Sequence, residues 1–90
     1  VRATHRTSLV FSYDSERVAT AIARTLSVET GEIEGGRTRA RLERDGATVR
    51  ITVTATDLTA LRAGTNSWTT LIEVAERATE AGADAATLDE

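Results

Sequence analysis

Along residues 7–13, Leu9, Phe11 and Tyr13 fall on one side and Ser8, Val10 and Ser12 on the other, the period-two pattern of a half-buried strand. Asp14 or Ser15 then offers an oxygen to the free amides of a helix start, and Glu16 suits its positive end. Val18, Ile22 and Leu26 recur at four-residue spacing, which predicts a helix of about three turns; Ala19 and Ala23 broaden its apolar face. Residues 27–36 hold Gly31, Gly35, Gly36, Glu29, Glu32 and Glu34 without apolar periodicity, the composition of a flexible acidic loop. Two further alternating runs, 37–44 and 48–55, are separated by Asp45-Gly46-Ala47, a strong hairpin signal.

If Asp45 and Gly46 form the turn, Arg44 pairs with Ala47, Leu42 with Val49, Ala40 with Ile51 and Thr38 with Val53, which makes one face apolar. The other face then sets Arg41 directly across from Arg50, with Arg39 across from Thr52 and Arg37 across from Thr54. Directly opposed like charges destabilise a sheet mildly, so this pairing asks for relief from Glu43, from salt, from a partner's carboxylate or from a phosphate. A three-residue loop would shift the register.

The longest pattern follows Thr56 and Asp57, both good helix caps: Leu58, Leu61, Thr65, Trp68, Ile72 and Ala75 step by three or four, and Leu71, Val74 and Ala78 form a second stripe. It predicts a helix from Asp57 to about Ala81, stopped by Gly82, that spans roughly 35 Å and overhangs a three-stranded sheet. Gly64 inside it marks either a close backbone approach or simple tolerance. The expected architecture is a single α+β domain over 1–90, β-α-β-β-α, with two helices on one face of a mostly antiparallel three-stranded sheet; residues 1–6 and 83–90 are expected to be flexible.

At 90 residues, with no cysteine, the chain has room for one core and no disulfide or thiolate metal site. No apolar run approaches the roughly 20 residues of a bilayer helix, and no secretory pattern opens the sequence, so a cytoplasmic location is expected. All 11 basic residues are arginine against 14 acids, which points to a salt-adapted, GC-rich source or to codon bias alone. Charge is segregated: Arg37, Arg39, Arg41, Arg44 and Arg50 face only Glu43 and Asp45 in their stretch, whereas from Glu73 to Glu90 there are six acids against the single Arg77.

Groups for chemistry are scarce. His5 is the single histidine and falls in a segment with no predicted structure, so neither a metal site nor a histidine-based triad has raw material. Asp14, Asp57, Glu73 and Glu76 fall at caps or on an exposed helical face, poor places for an acid and base pair. Gly31, Gly35 and Gly36 lack phosphate-loop spacing. Phe11 and Tyr13 share the inward face with Leu9, and Trp68 lies on the apolar stripe, so core packing is expected of all three and not base stacking. The net charge of −3 argues against autonomous nucleic-acid binding, while a local arginine strip remains open.

The stretch Thr56-Asp57-Leu58-Thr59-Ala60-Leu61-Arg62-Ala63-Gly64-Thr65-Asn66-Ser67-Trp68, taken with the element order, resembles the small dimerisation subunit of the KEOPS complex, the Pcc or CTAG-like family. The family hallmark is an aspartate opening the last helix, then Leu-Arg-Ala, then Asn-Ser; these match Asp57, Leu61-Arg62-Ala63 and Asn66-Ser67, within a resemblance covering about residues 7–78. The resemblance implies a non-catalytic, cofactor-free homodimer that binds the ATP-dependent catalytic subunit of KEOPS through a helical bundle, and other KEOPS subunits indirectly. That complex makes N6-threonylcarbamoyladenosine beside the anticodon of tRNA. With the arginine bias, it also implies an archaeal, halophilic source. Under this resemblance Asp57 caps the long helix, Leu61 packs beneath it, and Arg62, Asn66 and Ser67 lie on one flank, for partner or tRNA contact or for a junction with the sheet. Val18, Ile22 and Leu26 together with Leu71, Val74 and Ala78 are expected to form the groove for partner helices. Arg37, Arg39, Arg41 and Arg50 are candidate tRNA contacts. The alternative is a stand-alone KH-like RNA-binding module, which would need a Gly-X-X-Gly loop between helices that this sequence lacks.

Overall fold

The computed structural model describes residues 4–33 and 37–88, and side chains at 4–30 and 37–80. Strand β1 (His5–Ser12) is followed by helix α1 (Glu16–Ser27), strands β2 (Gly31–Ile33), β3 (Thr38–Asp45) and β4 (Thr48–Ala55), and helix α2 (Leu58–Leu88). The sheet is antiparallel in the order β1-β4-β3-β2. The three eight-residue strands and both helices are those the periodicity predicts. The interval taken for a loop differs: Gly31–Ile33 pairs with Ala40, Arg39 and Thr38 along the open edge of β3. Three residues are too few to display alternation, so only the neighbouring edge reveals them as strand.

The hairpin turn is Gly46-Ala47, one residue later than expected, and Asp45 lies opposite Thr48. Gly46 has φ +60°, the left-handed backbone that two-residue hairpin turns require at this position and that glycine adopts without strain. Moving the turn by one residue moves every partner by two. Facing is therefore preserved while neighbours change: Leu42 meets Ile51, Ala40 meets Val53, and Glu43 lies across from Arg50. The arginine pair expected at 41 and 50 does not form, because Arg41 faces Thr52.

Both helices cover one face of the sheet. Val49, Ile51 and Val53 of the central strand are fully buried beneath Ala19, Ile22 and Leu26 of α1 and Trp68, Ile72 and Ala75 of α2. Trp68 is the largest of these side chains, and its indole N–H has no hydrogen-bond partner among the described residues. Ser15 caps α1, its hydroxyl accepting from the Val18 amide at 3.2 Å. Helix α2 runs 31 residues, about 46 Å at 1.5 Å per residue, and continues through Gly82, which was expected to stop it. The alanines at 81, 83, 85 and 86 favour helix enough to carry one glycine, which costs about 1 kcal/mol. Residues 83–88, expected to be frayed, are helical, and His5 and Arg6, expected to be flexible, open β1. Val1, Arg2, Ala3, Asp89 and Glu90 lie outside the described residues.

Candidate protein-interaction surfaces

The start of α2 is fixed by Asp57. One carboxylate oxygen accepts from the Ala60 amide at 2.7 Å and the other from the Arg37 guanidinium at 2.8 Å, while the Asp57 carbonyl accepts from the Leu61 amide. The Ala60 amide first, and the Arg37 guanidinium second, hold this carboxyl below the usual carboxylate range. Arg37 is thus engaged at the helix cap, and its carbonyl accepts from the Thr56 amide, one step beyond the β3–β4 pairing.

Gly64 lies where α2 crosses the sheet. A Cβ there would sit 3.1 Å from Val53 Cγ1 and 3.3 Å from Thr38 Cγ2, so the glycine marks a close approach. Leu61 is half-buried against the core. Arg62, Ala63, Asn66 and Ser67 are exposed, so they make no junction between helix and sheet.

The two flanks of α2 have different surroundings. Tyr13, at the end of β1, donates its hydroxyl to Glu76 at 2.7 Å, which orients the Glu76 flank toward β1. Burial, followed by the bond to Glu76 and its charge, raises the pKa of the Tyr13 hydroxyl. At 100° per residue, Ala63, Ser67, Leu71, Val74 and Ala78 share the opposite flank, the side of α1. Val74 is 53% exposed, Ala63, Ser67 and Ala78 are exposed and Leu71 is half-buried. The family-motif residues Ala63 and Ser67 therefore continue the stripe of Leu71, Val74 and Ala78, a juxtaposition that spacing alone contains but that gains meaning once the core face is known.

On α1 the expected groove fares differently. Ile22 and Leu26 are each 1% exposed, used in the chain's own core, and only Val18 is left half-buried at its margin. A single apolar stripe on a short helix serves the sheet first, so α1 has little to spare for a second contact.

The outer edge of β1 pairs with no other strand among the described residues. Its inward side chains Leu9 and Phe11 are half-buried, whereas their neighbours Ile51 and Val49 on β4 are fully buried. The strand has no proline, lysine or inward charge to deter a further strand.

On the helix-free face, Arg6, Ser8, Val10 and Ser12 of β1 are exposed, as are Arg39, Arg41 and Glu43 of β3 and Arg50 of β4. The registers set Arg6 and Arg39 on either side of Thr54, Ser8 and Arg41 on either side of Thr52, and Val10 and Glu43 on either side of Arg50. Sequence reasoning missed Arg6 by starting the strand at Thr7; the alternation of Arg6 with Ser8, Val10 and Ser12 was the available signal. Among the described residues no cluster of histidine, cysteine or carboxylate side chains could hold a metal ion, and no helix is long and apolar enough to cross a membrane.

The family profile described as "Transcription factor Pcc1" matches residues 6–80. The chain is similar to a solved structure titled "Crystal structure of binary complex Gon7-Pcc1", with a TM-score of 0.78 and 19% sequence identity over 89% of this chain and 98% of that one. At that identity the likeness is one of fold. No curated protein matches the sequence.

Proposed function

The chain belongs to the Pcc1 family, the family of the small accessory subunit of the KEOPS complex, and on that footing we propose that it is a non-catalytic adaptor. It forms a homodimer and binds the ATP-dependent catalytic subunit, within a cytoplasmic assembly that modifies tRNA to N6-threonylcarbamoyladenosine.

The observation that supports this reading is that two surfaces of the fold are left unfinished. The first is the β1 edge, whose free backbone groups and half-buried Leu9 and Phe11 would be completed by a second copy adding its own β1. Antiparallel pairing of two identical strands obeys a two-fold axis, the usual symmetry of homodimers. The second is the α2 stripe of Ala63, Ser67, Leu71, Val74 and Ala78, which presents small and aliphatic side chains at helical spacing beside α1, the geometry that accepts a partner helix. The titled complex of the similar structure, in which a Pcc1 protein is bound to Gon7, accords with a fold that works by joining other polypeptides.

Light scattering on the full chain, followed by gel filtration with the catalytic subunit, tests the reading. A dimer mass and co-elution are expected, and Val74→Asp, at an exposed position, should keep the dimer and lose co-elution. A chain that stays monomeric at high concentration and does not bind the catalytic subunit overturns it.

A further inference from the structure

We infer that a second copy of the chain joins β1 in one register only, with the two-fold axis at Leu9, so that Ser8 lies across from the partner's Val10 and Arg6 across from the partner's Ser12. This deepens the adaptor reading and rests on it for the occupant of the edge.

Backbone hydrogen bonds restrict the choice. Just past β1 the Tyr13 amide donates to the Ala47 carbonyl at 2.9 Å, in step with the β1–β4 register. Antiparallel partners exchange bonds at every second residue, so the odd positions of β1 spend theirs on β4. Arg6, Ser8, Val10 and Ser12 therefore turn their amides and carbonyls to the open edge. The run is closed at both ends: the Thr4 amide donates to the Ala55 carbonyl at 3.0 Å, and the strand stops at Ser12. With the axis at Leu9 the four free positions satisfy one another completely, Arg6 with Ser12 and Ser8 with Val10. An axis at Ser8 sets Ser12 against the engaged Thr4, and an axis at Val10 sets Arg6 against Asp14, outside the strand. An axis between two residues sets free groups against spent ones.

Charge complements the same register. The strand opens with His5 and Arg6, and beyond its end stand Asp14 and Tyr13, the latter bonded to Glu76. Antiparallel pairing about Leu9 brings the basic start of each copy beside the acidic end of the other. On the helix-free face Arg6 lies diagonal to the partner's Asp14, and on the helix side His5 lies across from the partner's Tyr13, next to its carboxylate. Arg6 and Asp14 are exposed, and neither has an ion-pair partner among the described residues. Between the two ends Leu9 meets the partner's Leu9 and Phe11 the partner's Thr7, which covers the half-buried row.

The chain has no cysteine, so single cysteines report the axis. Full-length Ser8→Cys, Leu9→Cys and Val10→Cys variants are oxidised mildly and run on non-reducing gels. Facing positions of an antiparallel pair are about 4.5–5.5 Å apart, within disulfide reach, and diagonal ones about 7–8 Å apart, outside it. Leu9→Cys is expected to cross-link about fivefold more than Ser8→Cys or Val10→Cys alone. A mixture of Ser8→Cys and Val10→Cys should cross-link as the unlike pair; both positions are exposed, so the mixture reads the register even if Leu9→Cys does not fold. In a second arm, Arg6→Asp and Asp14→Arg should each weaken self-association about tenfold, because the axis repeats every contact, and Arg6→Asp/Asp14→Arg should restore it. A dimer that cross-links best at position 8 or 10 alone, that cross-links in none of these combinations, or that is not rescued by the charge exchange overturns the register and leaves the adaptor reading standing. A native chain that stays monomeric overturns both.

Discussion

The guanidinium of Arg37 and the carboxylate of Asp57 meet at 2.8 Å, joining the residue before β3 to the cap of α2 across 20 positions of sequence. Asp57 has a folded-state pKa lowered from 3.8, chiefly by the Ala60 amide and then by Arg37. The sign follows directly. A depressed carboxyl contributes stability that is fully present above the unfolded value and is lost as pH falls through the folded one. Urea midpoints should therefore drop between pH 6 and pH 3 by more in the native chain than in Asp57→Asn, which has no charge to lose. Equal drops would show that the pair contributes nothing to acid sensitivity.

Gly64 should resist enlargement. In an open helix, Gly→Ala gains up to about 1 kcal/mol, but here the added carbon would press on Val53 and Thr38, two β-branched side chains set in the sheet. Gly64→Ala is expected to lower stability by about 1 kcal/mol net, and Gly64→Leu to prevent α2 from seating. Chemical denaturation measures the first, and the near-ultraviolet signal of Trp68 reports the second.

Tyr13→Phe removes the hydroxyl that bonds Glu76 at 2.7 Å and keeps the ring. The loss should be about 1 kcal/mol, the usual net worth of such a bond with a charged acceptor near the surface. Because this bond ties the end of β1 to α2, amide exchange in β1 should accelerate more than in β3, and hydrogen-exchange mass spectrometry would show the difference.

Ile22 and Val74 separate folding from binding. Ile22→Asp places a carboxylate at a position 1% exposed and should unfold the chain, at a cost of several kcal/mol. Val74→Asp, at a position 53% exposed, should change stability by no more than about 0.5 kcal/mol. Thermal unfolding of the two variants makes the comparison; equal losses would remove Val74 from the candidate interface.

The candidate surfaces were only partly legible before the fold was known. Arg39, Arg41 and Arg50 stand on the outward face as their alternation requires, while Arg37 is paired with Asp57 and Arg6 joins the face from β1. Val74 and Ala78 are exposed, whereas Ile22 and Leu26, which periodicity cannot distinguish from them, are buried by the chain itself.

The order of the main elements, the side each residue faces and the neighbourhood of each helix cap, at Asp14 or Ser15 and at Thr56 or Asp57, are legible along the chain, and the hydrogen bonds to Val18 and Ala60 select Ser15 and Asp57. These are set within a few residues by backbone geometry and nearby hydrogen bonds. Adjacency comes from the folded chain alone: the short strand Gly31–Ile33 against β3, Glu43 rather than Arg41 across from Arg50, and which of two similar apolar stripes is consumed by the core. Period and propensity state which way a side chain points, but a partner distant in sequence is chosen by the summed packing of the whole fold.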